Sequence, residues 1–286
     1  MLPVDKPAGP TSHDVVDAAR RALGERRIGH TGTLDPFASG LLLLCVGKAT
    51  RLAEYLTGLP KAYEAVARLG VRTDTDDLQG AVLAETEAWR SVQESDVLRA
   101  MEALRGPTAQ VPPQYSAKKV HGVAMHRRAR RGETVRLEPV RIVVHALELT
   151  EFSAPDVRFR VRCSSGTYVR ALARDLGESL GAGAHLTMLR RTAVGPFGVE
   201  RALRLDELTD PERVAEAWID PLAALTHLPV VEVAAADARA LTNGRPVRVA
   251  EPSPQGPAAA AHEKALVAVC DVQGGFLRPR KVFVHD

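Results

Sequence analysis

The sequence is poor in cysteine and in long apolar runs. It holds three cysteines among 286 residues, they lie far apart, and none forms a C-x-x-C pair. This spacing does not suit a zinc ribbon or a disulfide framework and indicates a reducing compartment. The longest aliphatic run, residues 41–46, is far shorter than the roughly 20 residues of a membrane span, and the first ten residues, MLPVDKPAGP, lack the apolar core of a signal peptide. We therefore expect a soluble, cytoplasmic protein with no membrane partner.

Motifs for nucleotides and metals are also missing. The stretch Gly40–Lys48 has the outline of a phosphate-binding loop, but six residues separate its glycines instead of four, and Ala49 stands where Ser or Thr would hold magnesium. The aspartates within Asp74–Asp77 are closely spaced, yet the next ligand position of a calcium loop is Leu78 and no glycine directly follows it. We expect these aspartates to serve a helix end, a turn or an ion pair with a local arginine, and we expect no metal ion.

The positive charge of the chain is concentrated in one segment. The formal net charge is only +3, but Lys118–Arg141 contains eight Lys or Arg against two Glu, a local net of +6. A basic stripe on an otherwise balanced body is typical of contact with nucleic-acid phosphates. A solvated helix face would have the same composition, so the residues alone leave both readings open.

Hydrophobic periodicity predicts helices and strands in alternation. Thr11–Asp14 has the form of a capping box, and the spacing after it predicts a helix over Ser12–Leu23 that Gly24 ends. Apolar residues alternate with three arginines over residues 157–163, which predicts a strand with one buried face and one wet, basic face. The same reasoning predicts a helix over about 48–56, a strand over 63–69, and a helix after the turn at 164–167 that ends near residue 180.

The pattern of apolar residues and turn signals changes near Pro229. Short apolar runs are separated by turn signals such as Asn243-Gly244 and Gly274-Gly275, which predicts a small β-rich module over residues 229–286. Its Pro- and Ala-rich stretch Glu251–Glu263 is expected to be the longest loop.

The loop at residues 29–36, GHTGTLDP, is the best candidate for chemistry. Asp35-Pro36 is also typical of a helix start, with Asp as the cap and Pro as the first helical residue, and this structural reading stays open on the residues alone. The two glycines allow tight backbone conformations and the close approach of another chain.

Residues 29–40, GHTGTLDPFASG, closely resemble the signature of the TruB family of tRNA pseudouridine synthases, G-H-[TG]-G-x-L-D-P-x-A-[ST]-G, at every fixed position. The likeness continues in chain order through residues 5–12, 61–76, 114–119, 165–170, 183–186 and 189–191, and it spans residues 2–228. The chain departs from the pattern at Lys118, where an aliphatic residue is usual, and it begins almost at the first motif, so a short first strand of the family is expected to be absent.

The resemblance implies an α/β (α+β) fold with a mixed, mostly antiparallel sheet and surrounding helices in a catalytic domain at residues 1–228. It implies a basic, RNA-gripping insertion at about residues 105–141. Residues 229–286 are similar, less sharply, to the small PUA RNA-binding domain that ends many family members.

The resemblance also implies the roles of individual residues. Asp35 is the expected catalytic carboxylate, Arg170 its cationic partner, and Tyr63 the residue that stacks on a flipped uracil and assists proton handling. His30 is expected to fill the space that the base vacates, while Tyr168 and Leu189 line the pocket. The expected contacts to the RNA backbone are Lys6, Lys119, Arg127 and Arg128.

The expected reaction converts uridine-55 of the T-arm loop of tRNA to pseudouridine. It involves no net oxidation and no energy input, so no cofactor is expected. The expected partner is the T-arm stem-loop of tRNA, bound by a monomer without a guide RNA.

Three alternatives compete with this interpretation. A non-catalytic RNA-binding protein would explain the basic segment and the tail, but it leaves Asp35, Tyr63 and Arg170 without a reason to stand in their motifs. A catalytic subunit of a guide-RNA particle is related in sequence, but the insertion at residues 105–141 favours a stand-alone enzyme, because guide-dependent relatives largely lack it. A metal-dependent nuclease would need a cluster of carboxylates at one site.

Overall fold

The computed structural model describes residues 1–115, 119–120, 123–124, 137–249 and 254–283. Its strands are β1 (Leu2–Lys6), β2 (Ile28–His30), β3 (Ser39–Val46), β4 (Lys61–Leu69), β5 (Val71–Thr73), β6 (Val82–Glu85), β7 (Gly106–Gln110), β8 (Lys119–Val120), β9 (Val123–Ala124), β10 (Val140–Ser153), β11 (Asp156–Cys163), β12 (Ala184–Val194), β13 (Phe197–Gly198), β14 (Val230–Glu232), β15 (Val247–Arg248), β16 (Gly256–His262), β17 (Ala265–Gln273) and β18 (Phe276–Val282). Its α-helices are α1 (Ser12–Leu23), α2 (Ala53–Thr57), α3 (Glu94–Ala103), α4 (Val169–Ser179), α5 (Pro211–Ala217) and α6 (Ala235–Thr242).

A large sheet organises the chain. Its strand order is β1-β3-β12-β4-β11-β10-β7, with β2 added to β3 and β13 added to β12. Strands β12 and β3 run parallel, and the other neighbours in this sheet run antiparallel. The expected α/β fold with a mixed, mostly antiparallel sheet is therefore confirmed.

Strand β11 separates a buried face from a wet face, as its alternation predicts. Its apolar residues are buried and its three arginines are exposed. Two of the three exposed arginines pair with acidic neighbours on the same face, since Arg158 lies 3.3 Å from Glu151 and Arg160 lies 3.1 Å from Glu64. The buried face shares one apolar cluster with helices α3 and α4.

Helix α1 forms over the predicted residues because both of its ends are capped. The Thr11 hydroxyl accepts from the Asp14 N–H, the Asp14 carboxylate accepts from the Thr11 N–H, and Gly24 takes the left-handed conformation at φ 64°. The second predicted helix differs, since a 3-10 turn over Gly47–Leu52 precedes the short helix α2.

Strands β14–β18 form a second sheet in the order β14-β16-β17-β18-β15. The predicted loop over Glu251–Glu263 is wrong, because Gly256–His262 forms the inner strand β16. The four alanines of this strand, residues 258–261, are fully buried. Alanine has a low strand propensity, so the position between β14 and β17 decides the conformation here.

The second sheet packs on the back of the first. Met1, Leu41 and Leu43 share one apolar cluster with Val269 and Phe283. Polar contacts support this packing, since Arg51 Nη1 donates to the Val282 carbonyl at 2.6 Å and the Lys281 ammonium lies 2.9 Å from Glu54. Within the described ranges, no helix has the length and apolar character needed to cross a membrane.

Candidate active site

The loop between β2 and β3 carries Asp35 and is bound from several sides. Asp35 and Pro36 form a turn, with the Ala38 N–H donating to the Asp35 carbonyl at 3.1 Å, and not the start of a helix. The Ser12 hydroxyl both accepts from the Leu34 N–H at 2.8 Å and donates to the Leu34 carbonyl at 3.0 Å. The residue before Asp35 is thus held by two hydrogen bonds from the first turn of α1.

Lys6 supports the same loop from beneath. Its side chain is fully buried, and its ammonium donates to the Pro7 carbonyl at 2.8 Å and to the Pro36 carbonyl at 3.2 Å. The expectation that Lys6 contacts the RNA backbone is therefore wrong, because both the burial and these bonds commit the ammonium to the loop.

Arg191, which is 2% exposed, holds the start of the loop. Its guanidinium donates to the Leu41 carbonyl at 2.7 Å and to the Gly32 carbonyl at 2.9 Å. Gly40 makes this approach feasible, because its φ is +103° and a Cβ atom there would collide with the Arg191 backbone. The last glycine of the 29–40 motif is thus explained by the parallel pairing of β3 and β12.

Arg170 reaches Asp35 from the first turn of α4. Its Nη2 donates to Asp35 Oδ1 at 3.4 Å, and its Nε lies 2.9 Å from Asp35 Oδ2 as an ion pair whose N–H is not aimed at the oxygen. The Arg170 side chain is 4% exposed, whereas that of Asp35 is 36% exposed. The cation is therefore buried behind the carboxylate, which remains open to a substrate.

A second carboxylate, Asp77, binds the same guanidinium. Arg170 Nη1 donates to Asp77 Oδ2 at 3.1 Å and to the Thr75 carbonyl at 2.7 Å. Asp77 is itself fixed, since its Oδ1 accepts from the Thr75 hydroxyl at 2.7 Å and from the Gln79 N–H at 3.0 Å. The aspartate cluster does form ion pairs, but its partners Arg170 and Arg174 lie 93 and 98 residues further along the chain and are not the local arginine that was predicted. The position of Asp77 behind the candidate catalytic carboxylate was not predicted either.

The environment raises the pKa of the Asp35 carboxyl above its ordinary value. Burial is the largest cause, the nearby Arg170 cation opposes it, and the negative charge of Asp77 adds to it. Arg170 thus serves to keep a partly desolvated carboxylate ionised.

A cavity of about 420 Å³ opens above Asp35. Its walls include Tyr63, Tyr168 and Leu189, so the structure brings these three predicted residues together with Asp35 and Arg170. The cavity suits a small planar group, since aromatic and aliphatic side chains share its wall with many polar side chains that can form hydrogen bonds.

Tyr63 is buried and lies beside Arg191. Burial raises the pKa of the Tyr63 hydroxyl, while the Arg191 cation and its hydrogen bond to Tyr63 oppose that rise.

Lys61 also lines the cavity and was not predicted. Its ammonium donates to the Thr57 carbonyl at 2.6 Å and to the Leu59 carbonyl at 2.7 Å, and burial lowers its pKa to about 8. Alternation along β4, which places residues 61 and 63 on one face, is the signal that could have indicated Lys61.

His30 stands beside the cavity and is not part of its wall. Its Nδ1 accepts from the Gly32 N–H at 3.3 Å. Burial, followed by the Arg191 cation, lowers the pKa of the imidazole. His30 is thus a neutral, part-buried ring at the rim of the site near neutral pH.

The structure describes little of the other predicted RNA contacts. Arg127 and Arg128 lie outside the described residues, and Lys119 belongs to the short strand β8, which pairs with β9. Within the described part of the chain, no group of three His, Cys, Asp or Glu side chains is placed to hold a metal ion.

Two family models match consecutive parts of the chain. Residues 20–169 match the model of the "TruB family pseudouridylate synthase (N terminal domain)", and residues 170–225 match that of the "tRNA pseudouridylate synthase B C-terminal domain". A tRNA pseudouridine synthase B from Thermobifida fusca (strain YX) is 47% identical over 291 residues, covering 98% of this chain and 97% of the relative. One from Burkholderia mallei (strain NCTC 10247) is 43% identical over 295 residues, covering 99% and 96%.

Solved structures show the same fold. An H/ACA RNP bound to a substrate RNA containing 2'-deoxyuridine superposes with a TM-score of 0.77 at 28% identity, covering 99% of this chain and 84% of that one. A Cbf5-Nop10-Gar1 complex gives a TM-score of 0.77 at 29% identity, with the same coverage of both chains. The sequence motifs, the fold and the family models agree, and this chain belongs to the TruB family of pseudouridylate synthases.

Proposed function

We propose that this protein isomerises uridine-55 in the T-arm loop of tRNA to pseudouridine, with Asp35 as the catalytic carboxylate. The observation that carries the proposal is the position of Asp35. Its carboxylate is partly exposed at the end of a cavity of about 420 Å³, while its cationic partner Arg170 is buried behind it. The named relatives are tRNA pseudouridine synthases, which supports tRNA as the substrate.

The reaction rearranges bonds within one nucleotide. The bond between ribose C1' and uracil N1 breaks, the uracil turns within the site, and a new bond forms between C1' and C5. The proton on C5 leaves and N1 gains a proton, so no electrons, atoms or cofactor are supplied from outside. The protein must therefore provide an anionic group beside the sugar and base, and a pocket that keeps the detached uracil in place.

Asp35 and Arg170 meet the first requirement. A carboxylate acts as a nucleophile or stabilises positive charge only when it is ionised, and burial alone would favour the neutral acid. The guanidinium of Arg170 stays charged at all relevant pH values and lies against both carboxylate oxygens. The arrangement serves equally for attack of Asp35 on ribose C1' or on the uracil ring.

The cavity walls meet the second requirement. A base within a folded tRNA loop must leave its stack to reach Asp35, which costs about a few kcal/mol. Tyr63 and Leu189 offer a flat and an apolar surface to the flipped uracil, and Tyr168 closes the wall near Arg170. His30, which does not line the cavity, is assigned the space that the base leaves in the RNA.

Binding of the rest of the RNA is assigned to the basic segment at about residues 105–141 and to a PUA-like domain at residues 229–286. The local net charge of +6 within Lys118–Arg141 suits the phosphates of the T-arm. In this proposal the protein acts as a cytoplasmic monomer, without guide RNA and without cofactor.

The second candidate is a catalytic subunit that works with a guide RNA. The likeness to chains from H/ACA complexes favours it, with a TM-score of 0.77 for each. The relatives named tRNA pseudouridine synthase B favour the stand-alone enzyme, since this chain matches 97% and 96% of their lengths.

The test incubates the purified protein with an unmodified tRNA transcript, without cofactor, metal or guide RNA. Pseudouridine is then mapped by carbodiimide treatment and primer extension. We expect a single new stop at uridine-55 in the T loop. Asp35→Asn should abolish the stop and still bind tRNA, because the amide has nearly the same shape but cannot carry the charge.

Glu64→Gln serves as the control, because Glu64 lies on the wet face of the sheet in an exposed ion pair with Arg160. It should keep wild-type activity. Binding of tRNA by the wild type without any stop would contradict the stand-alone enzyme. Activity that then appears only with a guide RNA would establish the second candidate, and full activity in Asp35→Asn would remove Asp35 from its role.

A further inference from the structure

Gln110, the last residue of β7, makes two hydrogen bonds to the backbone of Tyr168, which lines the cavity. Its Nε2 donates to the Tyr168 carbonyl at 3.0 Å, and its Oε1 accepts from the Tyr168 N–H at 2.9 Å. Gln110 is 1% exposed. A primary amide is one of the few side chains that offers a donor and an acceptor in this spacing, so the pair resembles one rung of a β-ladder.

The backbone unit that Gln110 holds is the start of α4. Tyr168 is the N-cap residue of this helix, and its side chain makes no capping hydrogen bond. Arg170, whose guanidinium lies on Asp35, follows two residues later. The position of the first turn of α4 sets where Arg170 begins, and Gln110 fixes the backbone of the N-cap residue by accepting from its N–H and donating to its carbonyl.

The segment after Gln110 meets the same helix at two further points. The Tyr115 carbonyl accepts from Arg170 Nη2 at 2.8 Å, and the Val111 carbonyl accepts from Arg174 Nη2 at 2.9 Å. Residues 110–115 therefore contact α4 at residues 168, 170 and 174. These contacts lie between elements 58, 55 and 63 residues apart in sequence, so α4 is positioned by β7 as well as by its own loop.

We propose that Gln110 is a positioning residue for the reaction: its amide holds Tyr168 and the first turn of α4 so that Arg170 stays on Asp35. This inference rests on the proposed function. Gln110 does not line the cavity, so it acts on the uridine only through Tyr168, which does, and through Arg170. Its loss therefore affects the chemical step more than the binding of tRNA.

The experiment compares the wild type with Gln110→Met, which keeps the volume and removes both hydrogen bonds. Single-turnover pseudouridine formation, the Kd for tRNA and the melting temperature are measured for each. We expect the rate of Gln110→Met to fall about tenfold or more, as the loss of two buried hydrogen bonds predicts, with the Kd within about twofold of wild type. Glu64→Gln, in the exposed ion pair with Arg160 on the wet face of the large sheet, should match the wild type.

A double-mutant cycle separates positioning from general packing. If Gln110 acts through Arg170, then Gln110→Met should slow an Arg170→Lys protein much less than it slows the wild type, because the guanidinium it positions is already gone. Equal losses in both backgrounds would overturn the proposal. So would a folded Gln110→Met protein with the wild-type rate, or one with weaker tRNA binding alone.

If Gln110→Met fails to fold, Gln110→Glu decides the matter. It keeps the acceptor for the Tyr168 N–H and loses the donor to the Tyr168 carbonyl. It should be at least about threefold slower with unchanged tRNA affinity, and a wild-type rate would overturn the proposal. An inactive wild type would instead refute the proposed function itself, which distinguishes the two failures.

Discussion

Replacing Asp77 by Asn tests the electrostatic reasoning on the candidate site most directly. The amide keeps the shape of the side chain and can still accept from Arg170 Nη1, but the negative charge is lost. The Arg170–Asp77 pair has a separation of 3.1 Å, with side chains 4% and 6% exposed. The substitution therefore leaves a buried guanidinium with one anionic partner in place of two.

The expected loss of stability follows from this geometry. Two unit charges at that distance attract by about 5 kcal/mol at an effective dielectric constant of about 20. Desolvation offsets part of this, and removing one partner of a buried pair costs about 3–5 kcal/mol in other proteins. Because Asn retains the hydrogen bond and Asp35 retains its charge, we expect Asp77→Asn to lower the free energy of unfolding by about 2 kcal/mol. This loss lowers the melting temperature by roughly 4–8 °C in a chain of this size.

The same substitution should shift the pH dependence of the rate. The charge of Asp77 raises the pKa of the Asp35 carboxyl, so its removal lowers that pKa. In the proposed function, Asp35 acts only when it is ionised. The rate should therefore be lost as the pH falls through this pKa, and the loss should begin at a lower pH in Asp77→Asn. Near neutral pH the rate should fall about tenfold, because Arg170 loses one of the groups that orient it.

Thermal denaturation and single-turnover rates over a pH series measure both effects. Glu64→Gln is the matched control, because the Arg160–Glu64 pair has the same separation of 3.1 Å but side chains 64% and 41% exposed. Glu64→Gln should lower the free energy of unfolding by less than about 1 kcal/mol. An unchanged melting temperature in Asp77→Asn, or an acid limb that stays in place or moves to higher pH, would refute the reasoning.

Two further substitutions probe the surroundings of the site. Burial raises the pKa of Asp76 to about 6, so its ionised form disfavours the folded state above that pH, and this penalty is absent below the ordinary value of 3.8. The change in melting temperature caused by Asp76→Asn should therefore be more favourable at about pH 8 than at about pH 4. The substitution also removes the ion pair with Arg174 Nη1 at 3.1 Å, so the test compares the two pH values. The φ of 59° suits asparagine. A more favourable change at the lower pH would contradict this. Gly40→Ala should lower the free energy of unfolding by at least about 3 kcal/mol or prevent folding, because Gly40 has a φ of +103° and a Cβ atom there would collide with the Arg191 backbone. A Cβ atom at Gly29, in the same motif, would meet nothing within 4 Å, so Gly29→Ala is the control. Soluble yield and melting temperature compare Gly40→Ala with Gly29→Ala, and equal stability would show that β3 and β12 have room to separate.

Local patterns in the sequence determined much of the fold. Helix α1 begins and ends where its capping box and Gly24 predict, because caps depend on neighbouring residues alone. The alternation over residues 157–163 predicted both faces of β11, since successive side chains in a strand point to opposite sides. Strand β16 was missed because four consecutive alanines have no periodicity, and only the neighbouring strands make that position a strand.

The sequence by itself also determined the family and the central carboxylate, because the glycine-rich motif around Asp35 is dense and contiguous. Only the tertiary structure decided which charges meet there. Arg170 and Asp77 are 93 residues apart in the sequence. The sequence predicts that Lys6 is a surface cation, but in the fold it is buried between β1 and the Asp35 loop. Charge pairing and burial depend on which elements become neighbours, and that information is spread over the packing of the sheet and α4.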